Sequence, residues 1–570
     1  MLRFRRPTAW YCAALGLGML VFAVVALSSP GRIDVVDGHT RYDVGRSYLE
    51  HFDSVVRDPT AWFAVLPGRN GGRYSSYRFP QSAVAALSIL TSDITGVRSE
   101  ARRHFFFSLS GAMLAAAMAV LYAFSFRRMG HADAASLAWA AGGIVCTPVW
   151  FYSTTTFDDV LGSLAIVAAT TATLVLGERK PIAAATASGL LLAFAFNCKP
   201  PLALFTPVVA AILWTSQTNG EQRLRQAKIL MMCLVLGGGV CKLYDLWKFP
   251  PSTWGNLAEA QGAFVGLWPG NTLAGLLSFL ISPGMGAIWY WPALIIALYG
   301  LAAWNSNSGQ RWVVWSVVAS SAAFVLFIAS IRFFSGEPAW GPRYLTPLFA
   351  LLWFFVPAGA NRLGLWKTTA LLCVSFLVQI AGLSIDTMRF FAGERESSAS
   401  RFLEDPWSYF EFDRSQLLAW PRQIFDVVAD DGPRATRFSP AKLPTLPWYV
   451  FVVDSGAKQQ GSRDSSPMTV SSAPNTLSPA EAVESYVRTR KPLDPRTSHV
   501  INSFRPWWSS YRYLPRNGRP VDLDAAIAFL FFIGAAGLAT MFYGSSEESA
   551  GRFWLDSRAT MRFLRHLPGK

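Results

Sequence analysis

The sequence has few charged residues: they make up 15% of its 570 residues, whereas about 25% is usual in a soluble domain. Hydrophobic residues make up 52% of the chain and aromatic residues 14%. This balance excludes a disordered chain and a coiled coil, and it argues against an ordinary soluble enzyme. The remaining explanation is a protein with many apolar segments that face lipid.

Other common features are also missing. The six cysteines lie in or at the ends of apolar runs, without Cys-x-x-Cys spacing, which argues against a disulfide framework or a zinc site. No Asn-x-Ser/Thr sequence occurs, and this favours a bacterial inner (plasma) membrane over a glycosylating secretory membrane. No convincing internal repeat is found, which weakens the hypothesis of an inverted-repeat transporter.

Apolar runs of about 15 to 22 residues predict membrane-spanning helices. We therefore expect an all-α polytopic membrane protein with about twelve transmembrane helices and a small α/β or irregular soluble domain on the outer face. The first run also fits a cleaved signal peptide, because Ala26-Leu27-Ser28 resembles a processing site. The twelve runs lie near 9–28, 105–126, 134–151, 160–176, 182–197, 201–215, 229–246, 287–304, 312–332, 344–359, 368–387 and 524–543.

Basic residues are concentrated in short loops that alternate onto one side of the membrane, the pattern of cytoplasmic loops. For this reason no nucleic-acid partner is expected, despite a net charge of +15. The loop 29–104 and the segment 388–523 then lie on the outer side, the latter with a predicted strand at 448–453. The predicted domains are a transmembrane module at 1–387, an outer soluble segment at 388–523, and a last helix with a basic tail at 524–570.

A cluster of ionisable residues opens the first outer loop, where the first span leaves the membrane. A carboxylate there can deprotonate a hydroxyl nucleophile, and neighbouring basic groups can bind an anionic substrate. The alternative is a solvated helix cap with a carboxylate near the helix N-terminus. The cluster contains the carboxylates Asp34, Asp37 and Asp43 and the candidate substrate-binding residues His39, Arg41 and Tyr42.

A second candidate site is the basic and aromatic segment 72–81, which contains Arg73, Tyr77 and Arg78. It suits a lipid-phosphate head group, but an interfacial aromatic belt with snorkelling arginines would look the same.

Three more candidates lie at the predicted outer ends of spans. Asp158 and Asp159 form a costly pair of carboxylates at a membrane boundary, although Asp158 also suits a helix N-cap. Lys199 could attract phosphate or simply snorkel to the interface. Arg343 follows a Gly-Pro turn and is suited to bidentate phosphate recognition, unless it only pairs with Glu337.

The order of these motifs resembles the GT-C superfamily of integral-membrane glycosyltransferases, in particular its protein O-mannosyltransferase-like and aminoarabinose-transferase-like members. The resemblance covers about 30–390. It rests on the acidic outer loop at 37–42, the Gly-to-Gln segment at 72–81, the Ser-Pro-Gly-x-Gly turn at 282–286 with Trp291-Pro292 after it, and Trp-Gly-Pro-Arg-Tyr at 340–344.

The resemblance implies an inverting transfer of a sugar from a polyprenyl-phosphate donor to a hydroxyl of a glycan, lipid or protein on the outer face. Asp37 matches the family's catalytic base, with Asp34 and Asp158 as further candidates. Many members have a second acidic residue where this chain has Gly38. That departure leaves a divalent cation, Mg²⁺ or Mn²⁺, an open question, and no other cofactor is implied.

Two other classes of function stay open from the sequence. A transporter or flippase for an anionic lipid or sugar would place ionisable residues inside spans near the midplane, whereas here they crowd the outer ends. A non-catalytic membrane subunit would contact partners through the outer segment. Chemistry at Asp37 separates the enzyme from the second alternative.

Overall fold

The computed structural model describes residues 7–57, 65–96, 99–217, 219–253, 271–331, 334, 339–385, 406–412, 415–429, 504–511 and 519–543. Within these ranges, nine helices are long and apolar enough to cross a membrane. The predicted fold class, an all-α polytopic membrane protein, is confirmed. The predicted strand at 448–453 and the basic tail after residue 543 lie outside the described residues.

The described residues of the first half are mainly helical, with one hairpin in the predicted outer loop 29–104. In that hairpin β1 (Val65–Pro67) pairs antiparallel with β2 (Arg73–Ser75). The helices are α1 (Pro7–Ser28), α2 (Val36–Glu50), α3 (Phe79–Ile94), α4 (Glu100–Ser108), α5 (Ser110–Arg128), α6 (Asp133–Val145), α7 (Val149–Tyr152), α8 (Asp159–Leu176), α9 (Pro181–Cys198), α10 (Thr206–Thr215) and α11 (Gly220–Lys248).

The second half of the chain contributes ten described α-helices, which range from one turn to a full span in length. They are α12 (Thr272–Ile281), α13 (Ala287–Tyr290), α14 (Leu294–Asn305), α15 (Arg311–Ala329), α16 (Thr346–Leu352), α17 (Val356–Leu363), α18 (Leu365–Ser384), α19 (Gln416–Ala429), α20 (Trp507–Tyr511) and α21 (Leu523–Tyr543).

Three of the twelve predicted spans do not form a described helix long enough to cross a membrane. The run 134–151 is divided into α6 and α7, the run 201–215 begins as a 3-10 helix before α10, and the run 287–304 is divided into α13 and α14. Proline occurs at each of these places, as Pro148, Pro200 and Pro292. Proline lacks the backbone N–H that a continuous helix needs, so the apolar length of these runs overestimates the length of their helices.

The spans pack through small residues as well as bulky ones. Helix α1 packs against α5 and α21, and α9 packs against α8 and α11. At the contact of α1 with α21, a Cβ added at Gly16 would lie 2.6 Å from the carbonyl oxygen of Gly537. Because lipid gives helices no hydrophobic drive to associate, such close backbone approach supplies much of their attraction.

Five span ends converge on one side of the molecule. Helix α1 ends there at Ser28, α9 at Cys198 and α11 at Lys248, while α8 starts at Asp159 and the candidate span of α16 and α17 starts at Arg343. Helix α2 and the hairpin lie together at these ends, since α2 contacts β2 and Arg41 of α2 pairs with Asp158 at the start of α8. The candidate residues therefore meet at this side of the membrane region.

Candidate functional site

Helix α2 carries the acidic cluster and lies against the turn that precedes α8. Asp37 is in its first turn and Arg41 follows one turn later, and both side chains are buried. A Cβ added at Gly38 would lie 2.0 Å from Oγ1 of Thr156 in that turn. A second acidic residue at position 38 would not fit in this arrangement, which gives a physical reason for the departure from the family pattern.

Three carboxylates and three cations form a closed ring at this place, in which each charge faces two charges of opposite sign. We call this arrangement the charge ring. Its members, in order around the ring, are Asp37, Arg41, Asp158, Lys199, Asp159 and Arg343.

Arg41 and Lys199 hold one half of the ring. Nη2 of Arg41 donates to Oδ2 of Asp158 at 2.8 Å, and its Nη1 lies 3.6 Å from Oδ2 of Asp37. Nζ of Lys199 lies 3.2 Å from Oδ1 of Asp158 and donates a hydrogen bond to Asp159. Asp158 and Asp159 therefore share one ammonium group.

Arg343 closes the ring on the other side. Its Nε donates to Oδ2 of Asp159 at 2.8 Å, and its Nη2 lies 3.5 Å from Oδ2 of Asp37. The guanidinium also lies over the Phe157 ring. The sequence interpretation considered Glu337 as the partner of Arg343, but Glu337 lies outside the described residues, and the carboxylates that Arg343 contacts here are Asp159 and Asp37.

The ring is buried with one exception. The side chains of Arg41 and Arg343 are 2% exposed and those of the three carboxylates 8% or less, whereas Lys199 is 21% exposed. Burying ion pairs costs desolvation energy, which makes them weak evidence for stability alone. Four of the six charges lie at the ends of candidate spans, where charges are costly, so the ring points to a function that uses them.

The charges in the ring set each other's ionisation. Burial by itself raises the pKa of the Asp158 carboxyl, but Arg41 and Lys199 outweigh burial and hold that pKa below its usual value. Burial lowers the pKa of the Arg41 guanidinium, but Asp158 and Asp37 outweigh it and raise that pKa above its usual value. Both groups are therefore charged at neutral pH.

Tyr77 connects the basic and aromatic segment to the ring. Its hydroxyl donates to Oδ1 of Asp37 at 2.7 Å, and the Arg41 guanidinium lies 4.1 Å from the centre of its ring. Nζ of Lys248 donates to the carbonyls of Ser75 and Tyr77 at 2.9 and 2.8 Å. The sequence reasoning missed Lys248, whose signal was a cation at the end of the apolar run 229–246.

The other predicted binding residues have different contacts. Arg78 donates to the carbonyl of Phe196 at 3.2 Å, and Arg73 is exposed at the start of β2. Tyr42 is buried in an apolar cluster with Phe107, and the His39 ring lies edge-on to His104 with 5.7 Å between ring centres.

Asp34 lies beside the ring and contacts a distant part of the chain. Its Oδ2 accepts a hydrogen bond of 2.9 Å from Arg505. The structure thus brings together six of the predicted site residues, namely Asp37, Arg41, Tyr77, Asp158, Lys199 and Arg343.

The two Gly- and Pro-containing turns of the resemblance lie against each other and support Arg343. The Tyr290 hydroxyl donates to the carbonyl of Gly284 at 3.1 Å, and the Tyr290 ring packs edge-on against Trp340. Gly341 has a φ of 64°, in the left-handed region that favours glycine. This fixed turn starts the span that carries Arg343.

The carboxylates of the charge ring are paired with cationic side chains. Among the described residues, no group of three or more His, Cys, Asp or Glu side chains could hold a metal ion. Each carboxylate of the ring instead faces two cationic side chains.

Comparison with known proteins gives distant likenesses. No family model and no curated protein sequence matches the chain. ArnT from Cupriavidus metallidurans bound to undecaprenyl phosphate shares 12% identity over 78% of this chain and 85% of that chain, with a TM-score of 0.44. The apo state of the same ArnT gives 12% identity, 78% and 84% coverage, and a TM-score of 0.44.

An apo oligosaccharyltransferase from Archaeoglobus fulgidus shares 11% identity over 71% of this chain and 60% of that chain, with a TM-score of 0.40. ArnT and this oligosaccharyltransferase are GT-C glycosyltransferases, the superfamily that the sequence motifs resemble. At TM-scores of 0.44 and below, this likeness by itself does not establish a shared activity. The geometry of the site therefore carries the functional assignment.

Proposed function

We propose that this protein is a membrane glycosyltransferase that moves a sugar from a polyprenyl-phosphate donor to a hydroxyl of a lipid-linked glycan, lipid or protein. The reaction takes place on the outer, periplasmic or extracellular side, at the span ends that carry the charge ring. The observation that carries the proposal is the ring itself, because it combines one tyrosine-bound carboxylate with three cations next to the ends of candidate spans.

The cations of the ring suit the donor phosphate. A phosphodiester carries one negative charge, and the leaving polyprenyl phosphate carries a second, so groups that bind it stabilise the transition state more than the ground state. In the ring, three positive charges face three carboxylates, so a phosphate competes with a carboxylate for a cation. This exchange is easiest at Lys199, whose side chain is the most exposed of the six.

Asp37 is placed to accept the proton of the acceptor hydroxyl. Tyr77 holds Oδ1, while the nearest cations are 3.5 and 3.6 Å from Oδ2 and so bind it weakly. In the transfer, the acceptor oxygen forms a bond to the anomeric carbon as its proton moves to Asp37. The bond from that carbon to the phosphate oxygen breaks, and its electron pair leaves with the polyprenyl phosphate.

The proposal is tested by incubating the purified protein with a set of polyprenyl-phosphate sugars and candidate acceptors. We expect one donor to release polyprenyl phosphate in an amount equal to the glycosylated acceptor formed. Movement of the intact donor between leaflets of a vesicle, without release, would instead assign the protein to the transporter class.

A further inference from the structure

The segment 504–511 returns from the outer segment and packs at the exit of α1. Phe504 pairs antiparallel with Ile385, and the amide of Arg505 donates to the carbonyl of Ser384 at 2.8 Å. The fully buried Trp507 donates through Nε1 to the carbonyl of Ala26 at 2.9 Å. The segment 504–511 is therefore attached both to the end of α18 and to the end of α1.

The side chain of Arg505 reaches into the protein from this segment. It is 2% exposed, its guanidinium lies 4.2 Å from the centre of the Phe151 ring, and its Nη2 donates to Oδ2 of Asp34 at 2.9 Å. The other carboxylate oxygen, Oδ1 of Asp34, accepts a hydrogen bond of 3.4 Å from the amide of Thr156. Asp34 is thus bound from two sides.

These contacts connect the two chain segments that carry the carboxylates of the ring. Asp34 is three residues before Asp37, and Thr156 is two residues before Asp158. The same two segments also touch where Gly38 approaches Thr156. Any shift of Asp34 would therefore move Asp37 relative to Asp158.

We propose that Arg505 is a positioning residue that acts through Asp34 to hold Asp37 in place against the turn before α8. The outer segment thereby becomes part of the catalytic arrangement, although Arg505 itself touches no member of the charge ring in the described contacts. The kinetic part of this inference rests on the proposed glycosyltransferase activity, whereas its structural part does not.

Hydrogen–deuterium exchange of the full chain in detergent tests the structural part. In Arg505→Gln we expect the amide of Thr156 to exchange about tenfold faster, the scale of one lost charge-assisted hydrogen bond. Peptides at 33–41 should exchange faster as well. Arg128→Gln is the matched control, because Arg128 pairs with Glu178 at the opposite ends of the spans. Unchanged exchange at Thr156 in Arg505→Gln would overturn the inference.

Kinetics test whether the position of Asp37, held through Asp34 and Arg505, matters for sugar transfer. We expect Arg505→Gln to lower kcat about tenfold or more while donor KM stays within about twofold, since misplacing a reacting group costs rate rather than binding. Arg505→Gln should cause no further loss in an Asp34→Asn background. If the kcat losses of Arg505→Gln and Asp34→Asn instead add in the double variant, and each loss follows a drop in that variant's melting temperature, Arg505 has a merely structural role. A wild-type protein without transferase activity would refute the proposed function, and the exchange result would still test whether Arg505 holds Asp34 and Asp37 in place.

Discussion

Arg343 joins the carboxylates of Asp159 and Asp37, with Nε 2.8 Å from Asp159 and Nη2 3.5 Å from Asp37. The short contact anchors the guanidinium to the first residue of α8, and the contact with Asp37 is at the upper limit of hydrogen-bond length. A donor phosphate could replace that weak contact without displacing the arginine. In the proposed reaction, Arg343 would both support the site and bind the donor phosphate.

Replacing Arg343 should impair both donor binding and rate. Lysine keeps the charge but cannot reach two partners, so we expect Arg343→Lys to lower kcat/KM about tenfold and Arg343→Ala to lower it about a hundredfold or more. Donor affinity and melting temperature should be measured together, because removing the guanidinium also leaves Asp159 without one of its two cationic partners.

Arg362→Ala is the matched control for Arg343, since Arg362 is exposed at the other end of the same candidate span. This control should keep near-normal transfer. A well-folded Arg343→Ala protein with unchanged donor affinity and rate would remove Arg343 from the site.

Lys199 should contribute mainly to donor binding, because it is the most exposed cation of the ring. We expect Lys199→Gln to raise donor KM about tenfold, the scale of one charge-assisted hydrogen bond, with a smaller change in kcat. Lys180→Gln, which changes the lysine at the other end of α9, should leave donor KM unchanged. An equal KM effect in both variants would mean that the lysines act only through general surface charge.

The pKa of Asp158 predicts how the stability of the protein depends on pH. Because this pKa is lower in the folded protein than its usual value, the ionised carboxylate stabilises the fold at neutral pH, and that contribution is lost as the pH falls through the folded pKa. We expect the melting temperature of wild type to exceed that of Asp158→Asn at pH 7, and the difference to shrink below about pH 4.

Asp53→Asn is the control for Asp158, because Asp53 pairs with Arg57 near the surface and should contribute little. A difference between wild type and Asp158→Asn that stays constant from neutral to acidic pH would contradict the assignment of the ionised form.

The orientation of the membrane part can be tested with single cysteines in a cysteine-free background. The exposed Asn70 belongs to the hairpin next to the site, and the exposed Ser308 lies between α14 and α15 at the opposite ends of the spans. A membrane-impermeant maleimide should label Asn70→Cys but not Ser308→Cys in intact cells, as the basic loops indicate. The reverse pattern would place the charge ring on the cytoplasmic side.

The sequence predicts those parts of the site in which charged residues lie at energetically unfavourable positions. Asp37, Asp158 and Arg343 are notable because charges at span boundaries are expensive, and the structure places them in one ring. The apolar runs likewise predict the spans, except where a residue such as Pro292 ends a helix early.

The remaining parts depend on contacts between residues far apart in the chain. Arg505 meets Asp34 from 471 positions away, and Lys248 meets Tyr77 from 171 positions away. No local pattern marks such pairs, because each residue alone suits a surface arginine or a snorkelling lysine. The reason for Gly38 likewise becomes visible only when Thr156 is seen against it.

The role of Asp37 is tested by a conservative replacement. Asp37→Asn keeps the shape of the side chain and removes the base, so we expect at least about a hundredfold loss of kcat with folding intact. Asp93→Asn is the control, since Asp93 pairs with Arg103 elsewhere in the outer loop. If Asp37→Asn retained near-normal turnover, the base would have to be Asp34, Asp43 or Asp158.

The most direct test compares donor binding with release of polyprenyl phosphate in wild type and in Asp37→Asn. The account predicts that both proteins bind the same polyprenyl-phosphate sugar with similar affinity, because the cations of the ring remain. It also predicts that wild type releases polyprenyl phosphate when acceptor is added and that Asp37→Asn releases it about a hundredfold more slowly. Equal release by the two proteins, or no release from any bound donor by wild type, would contradict it.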